Sequence, residues 1–377
     1  MRILTAGESH GEYIVSVVEG FPKGVQVDEK AINEELKRRM SGFGRGKRMS
    51  VEDDRVIIVS GLRNKLTLGS PIAMLVKNKD VKIFSQKADD LASLSVPRPA
   101  HADLAGALKY QEKDIRNILE RASARETVAR VCAGALCKQF LLNFKINIAS
   151  FTVSVGSICS SLRPKNILEI LSKTKNSKLN CLEKEKLMLQ EIARAEEKKD
   201  TLGGIVELWI EGVCPGLGSF MHFDKRLDAK LAASLVSIPA VKGVEIGLGF
   251  EYARSSGSSS HDAIYYLKTK GFYRQTNNSG GIEGGISTGS PIVARVAMKP
   301  ISTLTNPLDS VNLVTKAKEK APVVRSDTCA IVACGVIAEN MSAVAITESL
   351  LEKFGADTLT EIKQNYKNYI DALTKTF

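Results

Sequence analysis

The chain has 377 residues, 44% of them hydrophobic and 25% charged, with a net charge of +11. That balance excludes a disordered polyelectrolyte, and the length exceeds the usual span of one core, so two lobes or one large core built from repeated halves are expected. Seven cysteines without a Cys-x-x-Cys pair suggest neither a zinc knuckle nor a disulfide framework, and the expected setting is reducing and cytoplasmic.

No stretch reaches the roughly 20 uninterrupted apolar residues of a membrane helix, and Glu8 and His10 stand where a secretory signal needs an apolar run. No membrane is expected as a partner. The positive charge is read either as a basic surface or as sites for anions. Nucleic-acid binders pair a basic stripe with a recognisable module or stacking aromatics. Aromatics make up only 6% here, so small polyanions fit better than nucleic acid.

The opening MRILTAGESHGEY contains Gly7-Glu8-Ser9-His10-Gly11, the Gly-x-Ser-x-Gly spacing of a hydrolase nucleophile elbow. An elbow follows strands and an oxyanion loop that come earlier in the chain. Only six residues precede Gly7, so Ser9 is not expected to be a nucleophile. His10 is then either a structural histidine beside glycines or a proton-transfer group.

Next, VDEKAINEELKRRM places Ile32, Leu36 and Met40 on one helical face, with Asp28 as N-cap and Arg38 and Arg39 in the last turn. The following SGFGRGKRMS invites a phosphate-loop reading, but Gly42 and Gly46 enclose three residues rather than four, and Arg48 replaces the magnesium-binding Ser or Thr. What remains is a cluster of Arg45, Lys47 and Arg48, either a solvated loop or a mobile clamp on an anion. DRVIIVSGL and SPIAMLVKN read as strands.

In VPRPAHAD, Pro97 and Pro99 stiffen the backbone around Arg98 and His101, and Asp103 follows closely. A histidine within reach of a phosphate can protonate it as it leaves. From Asp114 a helical pattern runs toward Phe144, with a stripe of Val128, Val131, Cys132, Ala135 and Leu136. Within it, Ser123-Ala124-Arg125-Glu126 spells a capping box flanked by Arg121 and Arg130. A helix start there beside guanidinium groups favours an anion.

Further on, CLEKEKLMLQEIARAEEKKD is a charged amphipathic helix, and RSSGSSSHD and TNNSGGIEGGISTGSP read as long loops. After Arg325-Ser326-Asp327, CAIVACGVIAENMSAVAI is a buried helix starting near Thr328, interrupted by Glu339 and Asn340. Neither His222 nor His261 has a spacing that suits a metal, and no metal is expected. The phrases LGSPIAMLV (68–76) and TGSPIVARV (288–296) echo one another. The echo suggests two similar halves, about 1–150 and 200–377, joined by the charged helix near 181–200.

GESHG, RRMSGFGRGKRM, PRPAHADLAGALKY, ERASARETVARV, NNSGGIEGGISTGSPI, MKPISTL and RSDTCAI, in this order along nearly the whole chain, closely resemble the chorismate synthase family. The resemblance implies an α+β subunit, duplicated, with antiparallel sheets in a four-layer sandwich around central helices, assembled as a homotetramer. It implies elimination of phosphate and a ring hydrogen from 5-enolpyruvylshikimate 3-phosphate to give chorismate, with reduced FMN and no net redox change.

By residue matching, His10 would manage a proton on the flavin, His101 would protonate the departing phosphate, and Asp327 would help remove the ring hydrogen. Flavin contacts would fall on Arg121, Ala122, Ser123, Pro239, Ala240, Gly284, Lys299, Pro300, Ile301, Ser302, Thr303 and Arg325. Ser9, Arg39, Arg45, Arg48, Arg125 and Arg130 would face the substrate, or NADPH in members that reduce their own flavin. The chain departs from the family in having Ala100 for Gly, Ala122 for Ser, Lys47 for Arg and Pro239 for Asn.

Two other classes compete with an elimination enzyme. Basic loops that hold RNA predict retention on nucleic acid with a steep salt dependence, and a hydrolase through Ser9 predicts labelling by a fluorophosphonate.

Overall fold

A computed structural model describes residues 1–46, 52–81, 93–269, 271–323 and 327–376. The chain begins with β1 (Arg2–Ala6) and β2 (Tyr13–Glu19), an antiparallel pair around the GESHG turn. Helix α1 (Glu29–Met40) follows, its N-cap Asp28 accepting a hydrogen bond from the Lys30 amide as the sequence predicts. Then come β3 (Val56–Ile58), the two-residue hairpin strands β4 (Leu62–Arg63) and β5 (Leu66–Thr67), and β6 (Ile72–Lys77). β1, β2, β6 and β3 lie in that order in one antiparallel sheet. Burial alternates along β2 and β6, so one face of this sheet meets the core.

Helices α2 (Asp103–Tyr110), α3 (Arg116–Ala122) and α4 (Thr127–Leu142) come next. The helical pattern expected from Asp114 to Phe144 breaks at Ser123, whose extended backbone starts a 3-10 turn over Ala124–Glu126. The capping box is half formed. Ser123 accepts from the Arg125 amide, whereas the Glu126 carboxylate turns to the Thr5 hydroxyl and the Arg130 guanidinium.

A second sheet takes β7 (Asn147–Val155), β8 (Ile158–Cys159), β9 (Gly204–Glu211), β10 (Val241–Ile246) and β15 (Ile292–Met298), in the order β10-β15-β9-β7-β8. Between its strands lie α5 (Ile167–Thr174), α6 (Glu185–Glu197), α7 (Leu227–Val236) and the single turn α8 (Gly257–Ser260). The hairpin of β11 (Ile264–Leu267) with β12 (Gly271–Arg274) lies between the two stretches expected as loops, and the short hairpin of β13 (Ile282–Glu283) with β14 (Ile286–Ser287) lies within the second. The chain ends with the pair β16 (Asp309–Val311) and β17 (Lys318–Lys320), then α9 (Ile331–Phe354) and α10 (Leu359–Thr376).

The order β1-β2-β6-β3 in one sheet matches β7-β9-β15-β10 in the other, and the echoed GSP phrases lead into β6 and β15. The boundary expected near 200 falls inside the second sheet, because β7 pairs with β9 across it. The helix at 185–197 is an excursion between those two strands.

α4 packs on β1, β2 and β6, α9 packs on β7, β9 and β15, and the two helices pack on each other. Both are apolar on nearly every side, as befits helices enclosed by protein. The Glu339 and Asn340 interruption is equally buried. Glu339 accepts from the Arg38 guanidinium, the Lys138 ammonium and the Ser150 amide and hydroxyl. Those cations hold its carboxyl well below the usual range despite burial.

Candidate active site

The β1–β2 turn and the residues after β6 lie at the same end of the first sheet, where Ala6 pairs with Val15 and Tyr13 with Lys77. His10 sits in the β1–β2 turn with its ring Nδ1 2.9 Å from both carboxylate oxygens of Glu120 on α3. The His10 amide donates to the same carboxylate and the Ser9 amide to the Glu120 carbonyl oxygen, each at 2.9 Å. Ser9 is buried, and its neighbour Gly7 has φ 102°, a left-handed value that makes glycine the fitting residue there. Arg121 donates to the Thr5 hydroxyl and carbonyl, which pins α3 to β1.

Behind this turn lies a buried charge cluster. The Arg125 guanidinium donates to Asn78 at 2.7 Å and to Asp54 at 2.9 Å, and meets Glu52 at 3.4 Å. Asn78 in turn donates to the Gly11 carbonyl oxygen. Arg39, 4% exposed, donates to Thr127 and to the Ala124 carbonyl and lies 3.5 Å from Asp54. Burial pulls the Arg39 guanidinium down to about 10, against the attraction of Asp54 and with the repulsion of Arg125 and Arg45. Against the expectation that Arg125 faces the substrate, two carboxylates and an amide engage it in the interior. Arg130 similarly pairs with Glu126 and donates to Ser237.

Asp327 pairs with Arg45 at 2.9 Å and accepts from the Gly46 amide. The helix expected to start near Thr328 begins at Ile331, because the Thr328 and Cys329 amides donate to the Gly44 carbonyl instead of opening a helix. Asp327 therefore belongs to a loop clasped to the glycine-rich loop. Lys47, Arg48, Arg325 and Ser326 lie outside the described residues.

His101 lines a cavity of about 410 Å³ with Pro97, Arg98, Pro99 and the exposed apolar side chains of α2, Leu104 and Leu108. Its Nδ1 is 2.5 Å from the fully buried Asp103 carboxylate, which also accepts from the Arg98 guanidinium at 2.8 Å. Hydrogen bonds from His101 and Arg98 hold the Asp103 carboxyl well below its ordinary range, although burial opposes them. Arg98 lies 3.0 Å from Nδ1 and 3.3 Å from Nε2, but the Asp103 carboxylate can only accept, so Nδ1 carries the proton and a neutral ring keeps its lone pair on Nε2.

The same arginine reaches Thr303 at 3.0 Å, and Ser302 donates to the Ala100 carbonyl while accepting from Lys299. Burial and Lys242 keep the Lys299 ammonium below its usual range. Lys299 also donates its amide to Ala240, next to Pro239. So 299–303, 239–240 and the His101 loop form one patch, and Ser237 links it through Arg130 to Glu126 and Thr5.

Gly284 stands apart. It lies in the turn of the β13–β14 hairpin, where the Leu227 amide at the start of α7 donates to Gly285, whereas Pro239 and Ala240 follow the end of α7. At 1.5 Å per residue, the helix separates them by about 15 Å.

Sequence reasoning missed Glu120, Glu52, Asp54 and Asn78. Glu120 adjoins Arg121 within the ERASARET phrase, and Glu52 and Asp54 follow the basic loop directly. Local acidity beside arginines was the available signal.

The family model described as chorismate synthase matches residues 1–351. The chain is 47% identical to the chorismate synthase of Alkaliphilus metalliredigens over 376 residues, covering 98% of this chain and 99% of that protein. It is 45% identical to the chorismate synthase of Aquifex aeolicus over 388 residues, covering 98% of each. A crystal structure of a chorismate synthase superposes with a TM-score of 0.82 at 40% identity, covering 99% of this chain and 98% of that one.

Proposed function

The chain belongs to the chorismate synthase family, lyases of aromatic amino acid biosynthesis, and we propose that its elimination runs between the His10 turn, the His101 loop and Asp327. The substrate on this reading is 5-enolpyruvylshikimate 3-phosphate, with reduced FMN as cofactor and NADPH as a reductant. The observation that carries it is the meeting of two stretches some 200 residues apart. Arg98 reaches Thr303 and Ser302 reaches Ala100, so the proton-bearing histidine stands beside the segment matched to the cofactor.

The residues fit a flavin phosphate and an anionic substrate. Arg39 holds one buried guanidinium nitrogen at ion-pair distance from Asp54 but without a hydrogen bond, and Arg121, Ser123, Lys299, Ser302 and Thr303 bring donors of the right kind for phosphate oxygens. Gly284 has open space beside its Cα, with φ 57°. Ala122 and Pro239 offer no hydroxyl and no amide N–H, so they contribute shape rather than hydrogen bonds. When bound, reduced FMN supplies an electron that is returned as the ring hydrogen leaves.

The chain's own groups handle protons and charge. A substrate phosphate near the His101 loop competes for Arg98, which frees the Nε2 lone pair to take up a proton from solvent and then pass it to the departing oxygen, with Asp103 holding Nδ1–H. Asp327 accepts the ring hydrogen as a proton once Arg45 turns to an anion of the substrate. His10 would hold or release a proton beside a bound flavin.

The sheet–helix–helix–sheet packing corresponds on this reading to the four-layer sandwich, and the assembly to a homotetramer. Phe220, Met221 and Phe223 are 67–84% exposed, and the β11–β12 hairpin displays Ile264, Tyr266 and Phe272, apolar surface suited to burial between subunits. A second subunit also accounts for Gly284, which could then complete a neighbour's cofactor site.

The test is an anaerobic assay of phosphate and chorismate formation with dithionite-reduced FMN. Wild type should turn over only with the reduced flavin, and His10→Ala and His101→Ala should lose most of the rate. Equal phosphate release without flavin would overturn the proposal.

A further inference from the structure

Glu120 holds both Ser9 and His10 in the GESHG turn. Glu120 is 4% exposed, sits in the last turn of α3, and presents both oxygens to His10 Nδ1 at 2.9 Å. Oε2 also accepts the His10 amide, and the Glu120 carbonyl accepts the Ser9 amide. Arg116, one turn earlier, approaches the carboxylate at 3.8 Å. Arg121 follows Glu120 and Ser123 comes two positions later, so a single short segment sets both the histidine and the donors matched to the cofactor.

The chemistry of that contact is directional. A carboxylate accepts and does not donate, so the Nδ1 atom facing it must carry the hydrogen, and a neutral ring is left with its lone pair on Nε2. Among the described residues, the carboxylate paired with Nε2 is Asp80, 3.7 Å away and beyond hydrogen-bond reach. Nε2 is therefore the nitrogen available to another molecule.

We propose that Glu120 is the positioning residue for His10, fixing its Nδ1–H tautomer so that proton exchange with the bound reactants takes place at Nε2. This rests on the proton-handling role of His10 proposed above. The proton moves between Nε2 and the reactant and returns by the same nitrogen, with Nδ1–H and the Glu120 charge unchanged throughout.

Glu120→Gln tests it, because a glutamine keeps the size of the side chain and an oxygen for the His10 amide, yet its NH2 can donate to Nδ1 and reverse the tautomer. With ¹⁵N-labelled histidine in the full-length protein, the wild type should show His10 as Nδ1–H when neutral. The variant should show a mixed or Nε2–H signal. Anaerobic turnover should fall roughly 10–100-fold in kcat, the usual loss for a group that orients another, with KM and thermal midpoint within about twofold and a few degrees. His10→Ala combined with Glu120→Gln should be no slower than His10→Ala alone.

Wild-type kcat in Glu120→Gln beside a slow His10→Ala would overturn the positioning role and leave the function standing, as would an unchanged Nδ1–H signal. A His10→Ala enzyme as fast as wild type would instead overturn the proton role of His10 itself, and this inference with it.

Discussion

Ala100 holds the left-handed backbone region, φ 59°, directly before His101, while its carbonyl oxygen accepts from Ser302. An alanine pays roughly 1–2 kcal/mol for that conformation, which explains why the resembling family has glycine there. Ala100→Gly should raise the thermal midpoint, with a net gain of up to about 1 kcal/mol after the extra freedom of glycine in the unfolded chain. A lower midpoint in calorimetry would contradict this account. Two residues on, Asp103 is the other conspicuous single position. Its carboxyl lies below its ordinary value when folded, so it stabilises the protein above the unfolded value near 4, and that contribution fades as pH falls toward the depressed folded value. The stability difference between wild type and Asp103→Asn, followed by denaturant unfolding, should be flat from about pH 8 to 5 and shrink below about pH 4.

Elements carry the next scale of the argument. α4 and α9 approach so closely that a methyl group on Gly134 would stand 2.6 Å from the Cα of Asn340. Gly134→Ala must push the helices apart, and overpacking of this kind costs about 1–3 kcal/mol. Glu339→Leu should cost at least as much, about 3 kcal/mol, because it strips the buried carboxylate from Arg38, Lys138 and the Ser150 amide and hydroxyl, leaving the two cations only Glu35. Urea titration of both variants measures the order. These helices were legible in the sequence because burial on every side leaves an apolar composition, and α1 was legible from Asp28 and its periodic Ile32 and Leu36. The break at Ser123 was not, because residues on both sides keep a helical pattern while the turn is set by distant partners, Thr5 for Glu126 and Arg121. Arg125 shows the same limit. Its motif advertised an anion site, but the carboxylates that bury it come from Glu52 and Asp54, some 70 positions earlier.

At the scale of the whole molecule, a net charge of +11 and anionic reactants make binding sensitive to salt. KM for the substrate should rise several-fold from low salt to about 0.5 M, with kcat changing less. No salt-sensitive retention on nucleic acid is expected alongside it. Sedimentation velocity should give a tetramer, and mixing Arg121→Ala with a Gly284→Trp variant should restore activity if one subunit's hairpin serves another's site. Failure of such mixtures, with both variants folded and separately inactive, would mean that Gly284 acts within its own chain.

Four contacts of the candidate site join the first sheet's connections to the second's: Arg98 with Thr303, Ala100 with Ser302, Gly44 with Cys329, Arg45 with Asp327. This has a meaning in time as well as space. A ribosome that has delivered everything through β15 has already released both histidines, yet neither Asp327 nor the threonine that receives Arg98 has emerged. The growing polypeptide thus carries its histidines without a place to use them, and competence arrives only when the residues that follow β15 have been added.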